Sequence, residues 1–241
     1  PAIESPLSRP ENLLTSREGT KYLLVTDPEA PRTEVGLMII DREPDKRKRD
    51  LDYIRDGYVT SLMNNMMNNR FNEIVQKGTP PFVAGGLSYS SDLPRNYNAL
   101  TLAAYANEGQ EAKGFEAALT ELERARRHGF TQGELNRARA EMLSDFENLY
   151  KQKDKISNDE WASKIRDHFL TGEPLPSLDL QYDYYKKILP GITVKDVNSR
   201  LQELVKDDNR FVYVQGPDDR EHMTEAEAMG IIAKVAEADI K

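Results

Sequence analysis

Residues 121–142 read ELERARRHGFTQGELNRARAEM, and this stretch decides the fold class. Its first part ends a helix: Arg126, Arg127 and His128 put cations into a last turn, where they meet the negative end of the helix dipole, and Gly129 follows at the position that favours a positive φ. Its second part begins another. Thr131 and Glu134 have the spacing of a capping box, and Phe130 and Leu135 are placed to clasp each other as a hydrophobic staple. One helix therefore hands over to the next across a short corner.

The same chemistry recurs downstream. Ser157 and Glu160 sit between Ile156 and Trp161, and Thr193 and Asp196 between Ile192 and Val197, so the chain from Gln110 to Asp208 reads as almost entirely helical. Upstream the pattern is different. Lys21 to Thr26 is a short apolar run, and Thr33 to Asp41 alternates Val35, Leu37 and Ile39 against Gly36, Met38 and Ile40; Asp27-Pro28-Glu29-Ala30-Pro31 punctuates these two strands. From Arg49 to Lys77 apolar residues return at helical spacing, until Gly78 and Pro80-Pro81 break the run. Val83 to Tyr89 and Ala99 to Tyr105 flank the turn-rich Ser90 to Asn98 as a β-hairpin. A last strand, Phe211 to Val214, stops at Gly216-Pro217, and Thr224 to Ala238 can form a final helix.

The order is thus ββα, ββ, a run of helices, β, α. Strands clustered in hairpins and followed by a helical block give an α+β fold, a mostly antiparallel sheet with helices packed on one face. Alternating βα units, as in a doubly wound fold, are missing. The expected organisation is an extended lead-in over 1–19, one domain over 20–218, and a C-terminal helix or linker over 219–241.

Composition narrows the function classes. The 241 residues carry 33 Lys and Arg against 41 Asp and Glu, a net charge of −8, with 38% hydrophobic residues. That acidity argues against nucleic-acid binding, which needs a clustered basic face, and the dense run Lys46 to Arg49 is bracketed by Asp45 and Asp50 as a solvated helix start. No apolar run is long enough to span a bilayer, so no membrane partner is expected. With no cysteine there is no disulfide, thiolate nucleophile or cysteine-ligated metal centre. The compartment stays open, with a bacterial periplasm favoured. A chain opening at Pro1 rather than Met reads as a segment of a longer polypeptide.

The chemistry-bearing residues are few. The three histidines, His128, His168 and His222, have no His-x-x-x-His spacing between them. His222-Met223-Thr224-Glu225-Ala226 approaches the inverted zinc motif H-x-x-E-H, but Ala226 stands where the second imidazole must be. His168 and His128 read as helix-end histidines. A G-x-S-x-G elbow and a G-x-x-x-x-G-K-[ST] phosphate loop are both missing. Gly85-Gly86, inside a strand pattern, marks a bulge or a close backbone approach. Leu62, Met63, Met66 and Met67 read as core packing. Asn64, Asn65, Asn68 and Asn69 around them are unusual, because Asn competes with the helical backbone, and they are expected to find specific partners or water. From the residues alone, the expected catalytic set is none, the metal set is none, and the substrate-binding residues are unknown.

Several segments taken in order carry a family resemblance. Asn68-Asn69-Arg70-Phe71-Asn72-Glu73-Ile74, Pro80-Pro81-Phe82, Arg127-His128-Gly129-Phe130-Thr131, Glu134 to Arg139, and Asp208-Asn209-Arg210 with Gly216-Pro217 resemble the pitrilysin/insulinase family of zinc metallopeptidases, and within it the second domain of the N-terminal half. The resemblance covers about Thr20 to Asp218. It implies that zinc belongs to the first domain, on an H-x-x-E-H helix and a distant glutamate, and that this chain has no cofactor of its own. A gapless match from Arg70 puts Gln76 and Val83 where the family's C-terminal half carries a substrate-binding Arg and Tyr, so that pair is lacking here. The expected role is a non-catalytic wall of a peptide-enclosing chamber, inactive alone, with the preceding catalytic domain and the C-terminal half of the same polypeptide as partners and a peptide as substrate. The alternative is a structural or interaction subunit of an inactive peptidase-like assembly; an independent hydrolase ranks third.

Overall fold

Asp50 starts the first long element by local chemistry: its side chain accepts from the Tyr53 backbone N–H and caps α1 (Leu51–Val75). Apolar side chains then fall on one stripe, and Val59, Leu62, Met63, Met66, Met67 and Phe71 are buried, so the Met cluster is core as expected. The computed structural model describes residues 14–15, 17–41, 48–90 and 97–241. Most of the expected lead-in, the front of the basic run and the hairpin turn over 91–96 lie outside the described residues. Of the basic run, Lys48 is exposed, whereas Arg49 lies 4.2 Å over the Tyr53 ring and 3.3 Å from Glu173. Arg49 is therefore a packed side chain and not a solvated one.

Five strands, β1 (Thr20–Thr26), β2 (Glu34–Ile40), β3 (Phe82–Ser90), β4 (Ala99–Ala106) and β5 (Arg210–Gly216), form one sheet in the order β1-β5-β2-β4-β3. The β3–β4 hairpin is as read from the sequence. Consecutive β1 and β2, however, do not pair: β5 enters between them, parallel to β1 and antiparallel to β2. Burial explains the insertion. Val212 and Val214 of β5 are fully buried, which suits an inner strand, while Leu23, Leu24 and Val25 of β1 remain 50%, 45% and 43% exposed at an edge. Gly85 lies just after a register shift between Phe82 and Ala84, and a Cβ there would stand 2.9 Å from the Phe82 ring and 3.2 Å from Phe71. The glycine pair marks a close approach of α1 to the sheet.

The helical block follows its caps. α2 (Glu111–His128) ends at Gly129 with φ +72°, and α3 (Gln132–Lys151) opens with the complete Thr131–Glu134 capping box. Ser157 caps α4 (Asn158–Thr171) by accepting from the Glu160 N–H, while the Glu160 carboxylate pairs with Lys164. Ser177 caps α5 (Leu178–Ile188), and Thr193 with Asp196 opens α6 (Val194–Leu204) as a full box. α7 (Glu225–Glu237) carries a further box, Thr224 with Glu227. The stretch over 219–241 shares the core: Met223, Ala228, Ile231, Val235 and Ile240 are buried with the rest. Arg127 and His128, at the end of α2, reach beyond their own helix. Arg127 donates to the carbonyls of Val235, Ala236 and Ala238, and His128 Nε2 stands 2.7 Å from the Ile240 carbonyl, so α2 closes the C-terminal end of α7.

Candidate functional site

The histidines are placed far apart and each is already engaged. His168 Nδ1 meets the Glu173 carbonyl at 2.6 Å just past the end of α4. His222, 2% exposed, has Nδ1 2.8 Å from Glu111 Oε1 and Nε2 2.6 Å from the Pro217 carbonyl. Its partner is thus Glu111, not the Glu225 of the sequence motif. A zinc ligand must offer a free imidazole lone pair, and His222 has none to offer, because the protein occupies both of its ring nitrogens. Among the described residues, no three His, Cys, Asp or Glu side chains stand together as a metal-holding group. The donor set of the described residues does not fit a catalytic zinc.

Arg70 and the asparagines of α1 organise the helix–sheet junction. Arg70 Nε donates to Glu134 at 2.6 Å, its guanidinium also reaches Glu121 and the Gly129 carbonyl, and it lies 4.7 Å over the Phe130 ring. Burial alone would raise the Glu134 pKa, but the bonds from Arg70 and Thr131 outweigh it and hold that carboxyl below its usual value. The same Glu134 therefore closes the α3 cap and anchors α1. Two residues back, Asn68 Oδ1 accepts from the Leu87 N–H at 2.8 Å and its Nδ2 donates to the Leu87 carbonyl at 3.1 Å, while Asn64 Oδ1 accepts from the Tyr89 N–H at 3.2 Å. These amides satisfy backbone groups on the outer side of edge strand β3, as a neighbouring strand would. Asn65 and Asn69 both donate to Glu141 on α3. The asparagine set thus has specific partners, as expected, and the partners are a strand edge and a carboxylate.

One surface open to a ligand is the sheet face turned away from the helices. Leu23 and Val25 of β1, Met38 and Ile40 of β2, and Phe211 and Tyr213 of β5 line a shallow depression of about 490 Å³. Glu34 gives one end a polar anchor, accepting from the Tyr213 hydroxyl at 2.7 Å. Burial first, and then Glu34, push the Tyr213 pKa upward, so its hydroxyl stays protonated as a donor. An apolar floor with one carboxylate–phenol pair can hold an extended apolar chain; its lining has no nucleophile or metal donor cluster to cut it. The signal for this face was present in the sequence, since β2 is apolar at Met38 and Ile40 as well as at Val35, Leu37 and Ile39. Periodicity assigned one set to the core and left the other without a role.

Comparison with known proteins gives a consistent picture. No family model matches the chain. It is 24% identical over 189 residues to a zinc protease PQQL-like protein of Arabidopsis thaliana, covering 78% of this chain and 16% of that one. It is also 24% identical over 176 residues to the probable zinc protease PqqL of Escherichia coli K12, covering 73% and 19%. The chain therefore spans less than a fifth of the length of these relatives. Its fold matches the first half of the periplasmic protease PqqL from E. coli with a TM-score of 0.86 at 17% identity, over 99% of this chain and 51% of that one. A peptidase M16 inactive domain from Pseudomonas fluorescens matches with a TM-score of 0.57 at 13% identity, over 91% and 48%.

Proposed function

We propose that this chain, a member of the pitrilysin/insulinase family, acts as a non-catalytic wall of a zinc peptidase that encloses peptides. The observation that carries the reading is the sheet face that the helices among the described residues leave open, with Arg17 at its margin, 5.4 Å over the Phe211 ring. Met38, Ile40, Phe211 and the exposed Leu23 and Val25 offer an apolar floor to an unfolded peptide, and burial of such side chains contributes about 25 cal/mol per Å² removed from water. Zinc, which would activate water and polarise the scissile carbonyl in the parent enzyme, is held by another part of the same polypeptide on this reading. The preceding domain and the remaining half of that polypeptide are the partners. A periplasmic setting is part of the same proposal, supported by the description of the structurally similar E. coli protease; among the described residues, no helix is long and apolar enough to cross a membrane.

A second reading, a structural or interaction subunit, is favoured by the similarity to the inactive M16 domain from P. fluorescens. The two separate in the full-length protein. Met38→Glu and Phe211→Glu, each placing a charge on the floor, should raise KM for an unstructured peptide while leaving kcat and zinc content unchanged. A folded full-length protein that cleaves no peptide would favour the interaction subunit, and an unchanged KM in both variants would remove the sheet face from the reading. Chelator-sensitive cleavage by this chain alone would overturn both readings.

A further inference from the structure

We infer that His222 is a pH-sensitive clasp, whose imidazolium form pins the β5–α7 connection to the N-terminal end of α2 and whose deprotonation releases that connection. The geometry states the requirement directly. Both ring nitrogens face acceptors, the Glu111 carboxylate at 2.8 Å and the Pro217 carbonyl at 2.6 Å. A neutral imidazole has a single N–H and can serve one of them; only the doubly protonated ring donates to both. The ring has no room to turn away, because a Cβ on Gly216 would lie 2.6 Å from His222 Cε1, which shows how closely the backbone passes the ring. Loss of the proton therefore sets a lone pair against an oxygen, and the connection must give way.

Glu111 couples the ring to the backbone of the connection. Its Oε1 faces His222 and its Oε2 accepts from the Met223 N–H at 2.6 Å, so one carboxylate in the first turn of α2 holds two consecutive residues. Tyr22 of β1 holds the next group, donating its hydroxyl to the Met223 carbonyl. The other charges around the ring are Asp219 and Arg220 on the connection itself, with Arg220 drawn to Glu108 at 3.1 Å, and Glu225 and Glu227 at the start of α7, whose fields reach Tyr22. Burial opposes the charged ring and so does Arg220. The hydrogen bonds to Pro217 and Glu111 outweigh them and raise the His222 pKa above its ordinary value. The sign follows: the clasp is fully closed below the unfolded histidine pKa of about 6.5 and opens as pH rises through the higher folded value.

The test is a titration of the chain by ring ¹⁵N shifts of His222, together with amide exchange at Met223 corrected for the intrinsic rate of an unstructured peptide. The expected result is a doubly protonated ring at pH 6.5 and a fall in Met223 protection of at least tenfold across the His222 titration. Glu111→Gln should keep an acceptor for the Met223 N–H yet lower the histidine pKa, so that the fall occurs at lower pH. His222→Gln should remove the pH dependence. If that variant does not fold, the wild-type titration and Glu111→Gln still decide. A neutral tautomer at pH 6.5, or Met223 protection that does not follow the ring, would overturn the inference.

Discussion

Replacing Asn68 by alanine removes both hydrogen bonds through which α1 closes the outer edge of β3, at 2.8 Å to the Leu87 N–H and 3.1 Å to its carbonyl. Each bond contributes roughly 1 kcal/mol net, because the lost groups regain water in this half-buried place. Alanine returns up to about 0.7 kcal/mol as the better helix former. The expected loss is therefore about 1.5 kcal/mol. With an m-value of about 2–3 kcal/mol/M in urea, the midpoint should fall by roughly 0.5–0.8 M. Asn72, exposed one turn further along α1, is the control: Asn72→Ala loses no such bond and keeps the propensity gain, so its midpoint should stay level or rise by up to about 0.3 M. Asn68→Asp separates the two bonds. It keeps an acceptor for the Leu87 N–H but turns a carboxylate oxygen on the Leu87 carbonyl, so it should be less stable than Asn68→Ala at neutral pH. Amide exchange at Leu87 should quicken in Asn68→Ala, which has no acceptor for that N–H. If Asn68→Ala behaves like Asn72→Ala, or Asn68→Asp is as stable as wild type, the side chain does not act as a surrogate strand and the reasoning fails.

Thr131→Ala should cost about 1 kcal/mol through the lost N-cap bond, read as a lower urea midpoint, and an unchanged midpoint would remove the cap from the account of α3. Gly129→Ala should cost more, about 2–4 kcal/mol in a thermal or urea melt, because alanine is strained at φ +72° and its Cβ would stand 2.5 Å from Asn198, whose Oδ1 accepts from the Phe130 N–H at 2.7 Å. Acid should unfold the chain partly through Glu134: its depressed pKa contributes stability that is present above the unfolded value of about 4.3 and is lost as pH falls through the lower folded value. Glu134→Gln should flatten the pH dependence of stability between about pH 5 and 3, and an unchanged slope would reassign the effect to other carboxylates.

The sequence determined what depends on neighbours within a turn or two. Capping boxes at Thr131 and Thr193, the φ-positive Gly129, the alternation of β2 and the buried Met63, Met66 and Met67 are local or periodic features, and they are legible because an N-cap bond joins residues three apart whatever the rest of the chain does. The resemblance to a peptidase family rested on such short segments. Tertiary structure decided the rest. It inserted β5 between β1 and β2, gave the asparagines of α1 a strand edge to bond, and sent Arg127 to the carbonyls of α7 instead of its own helix end. It also paired His222 with Glu111, 111 residues away, where the sequence offered Glu225 three residues on. A carboxylate near a histidine in sequence and one far off are equivalent until packing excludes water from one of them. The open sheet face shows the same limit: Met38 and Ile40 are as apolar as the core residues beside them, and only the layering of helices on the other side makes them a surface.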